Sequence, residues 1–475
     1  MNKAFTLSAS LNPQKVFILN NKELDKRLDP FYYVPELLEL EKKVLAKSPK
    51  KFRHYVKSIA SGATPKTTES DKYYAEKENG IPFLRVQNLS PTGILEFEDC
   101  KYINEETHQG MLKRSQVSEG DLLVKITGVG RMAVASVVPE GFEGNINQHV
   151  CVIKTGNKEI SKMLAAFLNS NVGEKLASRR STGGTRPALD NPALLSIPII
   201  EDERILEITQ EVIDQKRQNE AEAERLLSSI DDYLLKELGI VVPESKKNNL
   251  QNRMFTRTLK EIANTRFDPF YHQSSFKDNI SSLTNGKYPV RSLREVLLKV
   301  LVKGLLPKHE EKEGNNPVVQ INCINPDGSI SLDDILTAKD IFSEEQKLIP
   351  GDILIVITGA TIGKIAQWNE NGEYYLGGDI VKFQTDNGTD NTYVFQFLRC
   401  KIAQLEIKRN ITGATNGHLA PSDINHLLIP IPPLSKQKEI ADHITSIRQQ
   451  AQELKDKTKD ALAYASLEIE KILLG

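Results

Sequence analysis

The stretch EDERILEITQEVIDQKRQNEAEAERLLSSIDDYLLKELG, residues 201–239, decides the fold. It has no proline, and its only glycine is the last residue. Most of its residues lose little entropy in a helix, so it predicts a rod roughly 55–60 Å long at a rise of about 1.5 Å per residue. One stripe is mainly apolar and needs a packing partner. The predicted stripe is Ile205, Ile208, Val212, Gln215, Asn219, Ala223, Leu227, Ile230, Leu234 and Leu238.

A second helix of similar length is predicted over residues 435–474. Eight positions in it are spaced alternately by four and three residues, which is typical of a coiled coil. We therefore predict that the two helices pair with each other. The eight positions are Ile440, Ile444, Ile447, Ala451, Leu454, Thr458, Ala461 and Ala465.

The composition is that of a soluble globular protein with room for two or more domains in 475 residues. The four cysteines form no CxxC pair, which favours a reducing compartment. The N-terminal segment lacks the apolar core of a signal peptide. The most apolar run, residues 293–306, is too short and too charged to cross a bilayer. We therefore expect a cytoplasmic protein that does not contact a membrane.

The net charge of −1 is distributed unevenly along the chain. Residues 201–239 contain twelve acidic and five basic residues, a net charge of −7, so the remainder carries about +6. This basic bias is modest, and it is compatible with DNA binding without requiring it.

The chain contains an internal repeat, since six motifs recur in the same order and a long helix follows each copy. Each copy mixes short strands with helices, such as one helix predicted over residues 160–180. We therefore predict an α+β protein in which two homologous α/β domains are separated by the two long helices. The paired motifs are RLDPFY (27–32) with RFDPFY (266–271), GATPK (62–66) with GLLPK (304–308), PFLRVQNLSPTG (82–93) with PVVQINCINPDG (317–328), GDLLVKITGVGR (120–131) with GDILIVITGATIGK (351–364), TGGT (182–185) with TGAT (412–415), and Ile-Pro (197–198) with Ile-Pro (429–430).

The sequence Asp-Pro-Phe-Tyr at residues 29–32 and 268–271 has two interpretations. It is similar to the Asn/Asp-Pro-Pro-Tyr/Phe motif of adenine methyltransferases, whose aromatic ring stacks on a flipped base. However, the second proline is absent, and no strand with a glycine-rich turn is present for S-adenosylmethionine. The favoured alternative is a turn capped by the aspartate, with the aromatic rings packed on the core.

The sequence GATIGK, residues 359–364, is similar to a phosphate-binding loop. Its spacing is one residue short, and Ile365 replaces the hydroxyl residue that would bind magnesium. A tight turn between strands fits better, both here and at residues 128–131. We expect these turns to bring Arg131 and Lys364 to a surface, where they contact DNA phosphates.

The turns at residues 182–185 and 412–415 are the best candidates for a nucleic-acid surface. Glycine allows close approach of the backbone, and basic or amide side chains pair with phosphates or base edges. The alternative is a solvated loop that joins a helix to a strand. The flanking side chains are Arg179, Arg180 and Arg186 in the first copy and Lys408, Arg409, Asn416 and His418 in the second.

We find no pattern of catalytic residues in the sequence. The eight histidines are scattered without the spacing of metal ligands, and the carboxylates do not match a nuclease motif. The sequence therefore predicts a protein that recognises a partner and does not itself catalyse a reaction.

Together these motifs resemble the specificity subunit of a type I restriction–modification system over nearly the whole chain. One departure is GLLPK (304–308), which lacks the usual threonine before proline. The resemblance rests on SGATPK (61–66), IPFLRVQNL (81–89), GDLLVKITG (120–128), the two Thr-Gly turns that lead to IPII (197–200) and IPIPP (429–433), and the long helix after each copy.

The resemblance implies two target recognition domains, residues 1–200 and 241–433, each of which binds one half of a bipartite DNA target. Residues 201–240 and 434–475 are then antiparallel spacer helices that set the distance between the half-sites. The acidic helix faces and the segments near each Asp-Pro-Phe-Tyr motif bind two methylase subunits, which hold S-adenosylmethionine and methylate adenine N6. Motor-nuclease subunits join them in the restriction complex. The chain itself is then not an enzyme and holds no cofactor or metal.

The candidate DNA-binding residues are basic and polar side chains of the repeated motifs. Two other classes of function stay open: a DNA adenine methyltransferase or single-chain restriction–modification enzyme, and a coiled-coil scaffold that binds proteins. The candidates are Lys66, Arg85, Arg131, Arg179, Arg180, Thr185, Arg186, Lys308, Lys364, Lys408, Arg409, Thr415, Asn416 and His418.

Overall fold

The chain forms two structural units, and each of the two long helices begins in one unit and ends in the other. In the computed structural model, unit 1 comprises Met1–Glu220 with Lys455–Gly475, and unit 2 comprises Ala221–Leu454. The structure describes residues 7, 8, 10–25, 27–243, 254–263, 265–307, 314–333, 335–413 and 417–475.

Unit 1 combines short strands with helices, as the sequence predicts. Its helices are α1 (Pro35–Lys47), α2 (Ser70–Tyr73), α3 (Glu105–Gln109), α4 (Lys158–Asn169), α5 (Asn171–Arg180) and α6 (Asn191–Leu195), followed by α7 (Glu203–Leu238), which ends in unit 2. Its strands are β1 (Ser58–Ser61), β2 (Ile81–Leu84), β3 (Lys101–Ile103), β4 (Gln116–Ser118), β5 (Leu122–Lys125), β6 (Ala135–Val137), β7 (Glu143–Ile146) and β8 (Val150–Lys154).

Unit 2 repeats this arrangement. Its helices are α8 (Leu259–Ile262), α9 (Ser274–Thr284), α10 (Asn391–Arg399), α11 (Lys401–Asn410) and α12 (Pro421–Ile424), followed by α13 (Leu434–Leu474), which ends in unit 1. Its strands are β9 (Val290–Ser292), β10 (Val302–Lys303), β11 (Asn316–Val319), β12 (Leu336–Ala338), β13 (Ile353–Val356), β14 (Ile365–Gln367), β15 (Tyr375–Leu376), β16 (Ile380–Phe383) and β17 (Leu428–Pro430).

The central sheet of unit 1 has helices on one face and a second sheet on the other. Its strand order is β1-β8-β5-β6, with antiparallel pairs, and the second sheet has the order β3-β2-β7-β4. Successive side chains of a strand point to opposite faces. Leu122 therefore packs with Leu164 of α4, whereas Leu123 packs with Leu84 of the second sheet. With both faces covered, every residue of β5 is buried.

The central sheet of unit 2 has the equivalent order β10-β16-β13-β14 and confirms the duplication. The register is also equivalent, since Lys125 pairs with Val150 in unit 1 and Val356 pairs with Ile380 in unit 2. The two copies also share a glycine at which the main chain passes close to a neighbouring strand end. A Cβ atom on Gly62 or on Gly304 would lie 2.0 Å from a main-chain carbonyl oxygen. Only glycine fits at either position.

The long helices pair antiparallel within each unit, as expected. In unit 1, Asn219 donates to Thr458 at 3.0 Å, and Ile205 shares a core cluster with Leu473. In unit 2, Glu237 forms an ion pair with Lys436 at 2.6 Å, and Tyr233 packs on His443 with ring centroids 4.1 Å apart. Residue numbers therefore rise along one helix as they fall along the other.

The observed helices α7 and α13 agree with the predicted bounds to within a few residues. All eight predicted positions of α13 are buried or half-buried. In α7 the predicted stripe is wrong at two points, because Gln215 is exposed and Ile213 is buried more deeply than Val212.

The single helix predicted over residues 160–180 is in fact two helices. Ser170 separates α4 from α5 with an extended backbone, and its hydroxyl accepts a hydrogen bond from Gly173 N at 3.0 Å. A serine in this position satisfies a main-chain donor at the start of a helix, which favours a new helix over continuation.

Candidate nucleic-acid interface

Strand pairing gathers four loops at one end of the central sheet of unit 1. Strands β1 and β5 end beside the start of β8, as the pairs Ser61–Cys151 and Lys125–Val150 show. A further bridge between Thr127 and Ala188 adds the Thr-Gly turn to this end. We call these four loops, residues 62–66, 126–131, 147–149 and 182–188, the loop edge of unit 1.

The Thr-Gly turn of the loop edge is closed by its own backbone. Thr182 N donates to Ala188 O at 2.8 Å, and Ala188 N donates to Thr182 O at 2.7 Å. Gly183 has a φ of +94°, which a side chain would disfavour. The turn exposes Thr185 and Arg186 to solvent.

A chain of polar side chains links three of these loops. Thr64 donates to the side-chain oxygen of Gln148, and the Gln148 amide nitrogen lies 3.1 Å from Nε2 of His149. Arg186 Nη2 donates to the same Nε2 at 2.9 Å. Burial, followed by the charge of Arg186, lowers the pKa of His149, so its imidazole is neutral at neutral pH.

Sequence reasoning missed Gln148 and His149. They lie in a short polar segment between β7 and β8, and no motif marks that segment in the sequence. Their place on the loop edge depends on the pairing of β8 with β1 and β5, which brings together residues far apart in the chain.

Lys66 and Arg85 occupy different electrostatic environments. The Lys66 ammonium is exposed, and its ion pair with Glu69 is 3.7 Å long. Arg85 follows β2, and its Nη2 donates to the main-chain oxygen of Asp99 at 2.6 Å and to its carboxylate at 3.1 Å. A hydrogen bond from Gln87 and the charge of Arg85 lower the pKa of Asp99. The charge of Arg85 is therefore largely neutralised, whereas that of Lys66 is open to solvent.

The expectation that Arg131 and Lys364 project from the surface needs correction, because both are half-buried and bonded to main-chain carbonyls. Arg131 donates to the carbonyl oxygens of Asn169 and Ser170 at the end of α4, where a cation is favourable. Burial lowers the pKa of Arg131. Lys364 donates to Ile324 O at 3.1 Å.

Arg179 and Arg180 are also not surface residues, since they are 4% and 5% exposed. Both form ion pairs with Glu41 of α1, and Arg179 Nε also donates to Tyr32 O at 2.7 Å. Burial lowers the pKa of both arginines, that of Arg180 to about 10. These two guanidinium groups hold α5 against α1 and do not reach the loop edge.

The Asp-Pro-Phe-Tyr motif anchors the helix end that precedes each Thr-Gly turn. In unit 1, Arg27 donates two bonds of 2.8 Å to Asp29 and also bonds the carbonyls of Arg180 and Ser181, at 2.8 and 2.9 Å. In unit 2, Arg266 bonds Asp268 at 2.8 Å and the equivalent carbonyls of residues 410 and 411, at 3.0 and 3.4 Å. The motif therefore fixes the direction in which the chain enters the turn.

The geometry of the motif favours the interpretation as an aspartate-capped turn in unit 2, whereas Asp29 in unit 1 makes no side-chain cap hydrogen bond. Tyr271 N donates to Asp268 Oδ1 at 2.9 Å. Tyr32 lies between two guanidinium groups, with Arg27 4.5 Å and Arg179 4.1 Å from its ring centroid. The expected packing of the other aromatic residue on the core is wrong for Phe31, which is 53% exposed, whereas Phe270, 39% exposed, packs edge-to-face on buried Phe276 with ring centroids 5.2 Å apart.

The loop edge of unit 2 has the same frame and different side chains. Thr358 bridges to His418, and Thr412 closes the turn with His418 at 2.8 Å in both directions. By strand register, Asp379 occupies the position of His149. Lys408 is exposed, whereas Arg409 stacks 3.9 Å over the Tyr271 ring and donates to Tyr271 O at 3.1 Å. Lys308, Thr415 and Asn416 lie outside the described residues.

Neither a metal-binding cluster nor a membrane-spanning helix is present within the described ranges. No cluster of three or more histidine, cysteine or carboxylate side chains there is arranged to bind a metal ion. None of the helices in those ranges is long and apolar enough to cross a membrane.

The family profile and the curated relatives that match this chain all belong to one kind of protein. The profile of the family described as "Type I restriction modification DNA specificity domain" matches residues 285–464. The putative type I restriction enzyme MjaX specificity subunit of Methanocaldococcus jannaschii is 27% identical over 180 residues, 36% of this chain and 42% of that protein. The EcoKI specificity subunit of Escherichia coli K12 is 24% identical over 163 residues, 33% of this chain and 35% of that protein. Less than half the length of either relative is therefore matched.

Among solved structures, a type I restriction–modification S subunit from M. genitalium aligns with 90% of this chain and 94% of its own. The identity is 11% and the TM-score 0.41, a likeness on which no conclusion rests. The family profile over residues 285–464 and the two curated relatives agree with the repeated motifs of the sequence, and the chain is therefore similar to type I restriction–modification specificity subunits.

Proposed function

We propose that this chain is the non-catalytic DNA-recognition subunit of a type I restriction–modification complex and that its target is bipartite. The observation that carries the proposal is the duplicated loop edge, in which an equivalent frame holds different side chains, such as His149 in unit 1 and Asp379 in unit 2. Two such surfaces suit two half-sites with different base sequences, because base identity is recognised by hydrogen bonds at the base edges.

Helices α7 and α13 are the proposed spacer. Both are continuous, over 36 and 41 residues, and each begins in one unit and ends in the other. A helix has a fixed rise per residue, so its length sets the distance between the attached recognition surfaces. An unread segment of constant length between the half-sites is the expected result.

The proposed docking segments for two methylase subunits are the residues around each Asp-Pro-Phe-Tyr motif. Leu28 and Phe267 hold equivalent positions in the repeat and are 86% and 83% exposed. Phe31 and Phe270 are the second equivalent pair of exposed apolar residues. Exposed apolar groups that recur in both copies suit two identical partners.

The acidic face of α7 supports a second docking region in unit 1. A groove of about 900 Å³ lies along this helix, and its walls combine apolar residues, such as Phe97 and Ile213, with charged ones. Five carboxylates outnumber the three basic side chains, which are Lys158, Lys162 and Arg217. Such a groove suits an amphipathic helix with basic flanks. The carboxylates on α7 are Glu207, Glu211 and Asp214.

In the complex, the methylase subunits hold S-adenosylmethionine and transfer its methyl group to adenine N6, and motor-nuclease subunits add restriction activity. This chain supplies binding to double-stranded DNA and places the methylases at the target, in the cytoplasm. Its contribution is to orient the duplex and select the sequence, and it takes no part in methyl transfer.

The test is single-molecule sequencing of DNA from cells that express this chain with its neighbouring methylase, compared with the methylase alone. A methylated bipartite adenine motif that requires this chain is the expected result. Copurification of the two proteins without a new motif would favour a protein-binding scaffold. Specific binding of S-adenosylmethionine by this chain alone would favour a methyltransferase.

A further inference from the structure

Arg186 is an exposed guanidinium group that is oriented by neighbouring side chains. Its Nη2 donates to Nε2 of His149 at 2.9 Å, and Gln148 connects this histidine to Thr64 of another loop. Among the described residues, no carboxylate pairs with Arg186, and its Nε and Nη1 groups have no acceptor. One Nη2 hydrogen is therefore held, while the second Nη2 hydrogen and its neighbouring N–H groups are free to form a two-pronged contact with a ligand.

We infer that Arg186 binds the O6 and N7 atoms of a guanine in the half-site recognised by unit 1, with His149 as its positioning residue. This inference rests on the proposed function. The planar guanidinium fork matches the two acceptors that guanine presents in the major groove, and no other base presents that pair.

The surroundings of Arg186 favour a base contact over a phosphate contact. His149 is neutral at neutral pH because its pKa is lowered, so it adds direction to Arg186 without adding positive charge. Orientation before binding reduces the side-chain entropy that recognition must overcome. Lys66, on the same loop edge, is the opposite case, since its exposed ammonium group is not fixed by a comparable network.

The repeat supplies a natural substitution for this position. The sequences TGGTR (182–186) and TGATN (412–416) place Asn416 at the position equivalent to Arg186. An asparagine pairs with adenine through N6 and N7, whereas an arginine pairs with guanine. Arg186→Asn therefore exchanges one recognition chemistry for the other with a residue that the chain already uses in the second copy.

The experiment uses the complete complex of this chain with its methylase. It measures which motif the complex methylates and how tightly the complex binds each of a panel of duplexes. Arg186→Ala is expected to lower the preference for one G·C pair by roughly ten- to a hundredfold in one half-site and to leave the other half-site unchanged. Arg186→Asn is expected to shift that position towards A·T. His149→Ala is expected to weaken the preference, and His149→Gln, which retains an acceptor, to restore it.

Lys66→Ala is the matched control for loss of one positive charge on the same loop edge. It is expected to weaken binding to all duplexes equally and to reduce the salt dependence, without changing base preference. The same uniform result for Arg186→Ala would mean a phosphate contact and overturn the inference, as would a wild-type motif that no Arg186 substitution alters. A wild-type complex that yields no motif would instead refute the proposed function itself. If Arg186→Ala does not copurify with the methylase, Arg186→Asn decides the question.

Discussion

The buried carboxyl group of Glu406 makes the stability of unit 2 depend on pH. Glu406 lies on α11 and is 4% exposed, and its oxygens accept hydrogen bonds from Leu428 N at 3.3 and 3.1 Å. Burial raises the pKa of Glu406 from its ordinary value of 4.5 to about 7, against the smaller opposing effects of the Leu428 N–H and the Arg409 charge. The folded protein therefore keeps a proton that the unfolded chain releases.

The sign and size of the effect follow from this difference in proton binding. As pH rises from about 4.5 to about 7, the unfolded state loses its proton first, so the free energy of unfolding falls. Each unit of pKa difference corresponds to about 1.4 kcal/mol, which gives a total loss of about 3 kcal/mol by pH 8. Below pH 4.5 the group is protonated in both states and contributes nothing.

Glu406→Gln removes the titration and keeps an oxygen that can accept from Leu428 N. We expect the variant to match the wild type at pH 4.5 and to exceed its free energy of unfolding by about 3 kcal/mol at pH 8. Urea denaturation measures this through Trp368, which is the only tryptophan and is fully buried in unit 2. Glu345→Gln, at an exposed carboxylate of the same unit, is the control and should change little. An equal difference between variant and wild type at both pH values would refute the reasoning.

Three further predictions concern the helices, the repeat and the docking segments. One heptad inserted after Glu220 and one after Leu454 should lengthen the unread spacer by about three base pairs, because seven helical residues add about 10 Å. Both half-sites should stay the same, and an unchanged spacer in the methylated motif would exclude the spacer role. Gly62→Ala should lower the free energy of unfolding by more than about 2 kcal/mol in thermal unfolding, because the new Cβ would lie 2.0 Å from Ile146 O. Gly184→Ala is the control and should have little effect, because its Cβ would meet nothing within 4 Å. The double variant of Phe31→Ser and Phe270→Ser should lower methylase binding in a copurification titration. The control Val129→Ser, at a residue 77% exposed on the loop edge, should not lower it. If the double variant and the control bind methylase equally, these segments are not part of the interface.

The sequence predicted those parts of the fold whose signal is local or repeated. The periodic apolar stripes of α7 and α13 depend only on spacing along a helix, and the repeated motifs identify equivalent strands in the two units. The stripe of α7 was less accurate near Gln215, because an ideal helix drifts slowly out of phase with a repeat of seven residues.

The candidate site was predicted less well, because it depends on contacts between distant parts of the chain. The ion pair that buries Arg180 joins it to Glu41, 139 positions away, and no local pattern distinguishes this arginine from exposed Arg186. His149 reaches Arg186 across 37 positions only because β8 lies between β1 and β5. The DNA-binding assignment of all fourteen candidates stays a prediction. Among the candidates that the structure describes, the exposed ones are Lys66, Thr185, Arg186 and Lys408.

The return of α13 to unit 1 has a consequence for the order of folding during synthesis. Lys47 donates to the carbonyl of Ile472 at 3.2 Å, across 425 positions, and Leu473 belongs to the same core cluster as Val44 and Phe52. A ribosome that adds amino acids in sequence must therefore complete unit 2 before the last contacts of unit 1 can form. Until then, the apolar stripe of α7 that α13 covers in unit 1 is exposed on the nascent chain, where it is open to aggregation.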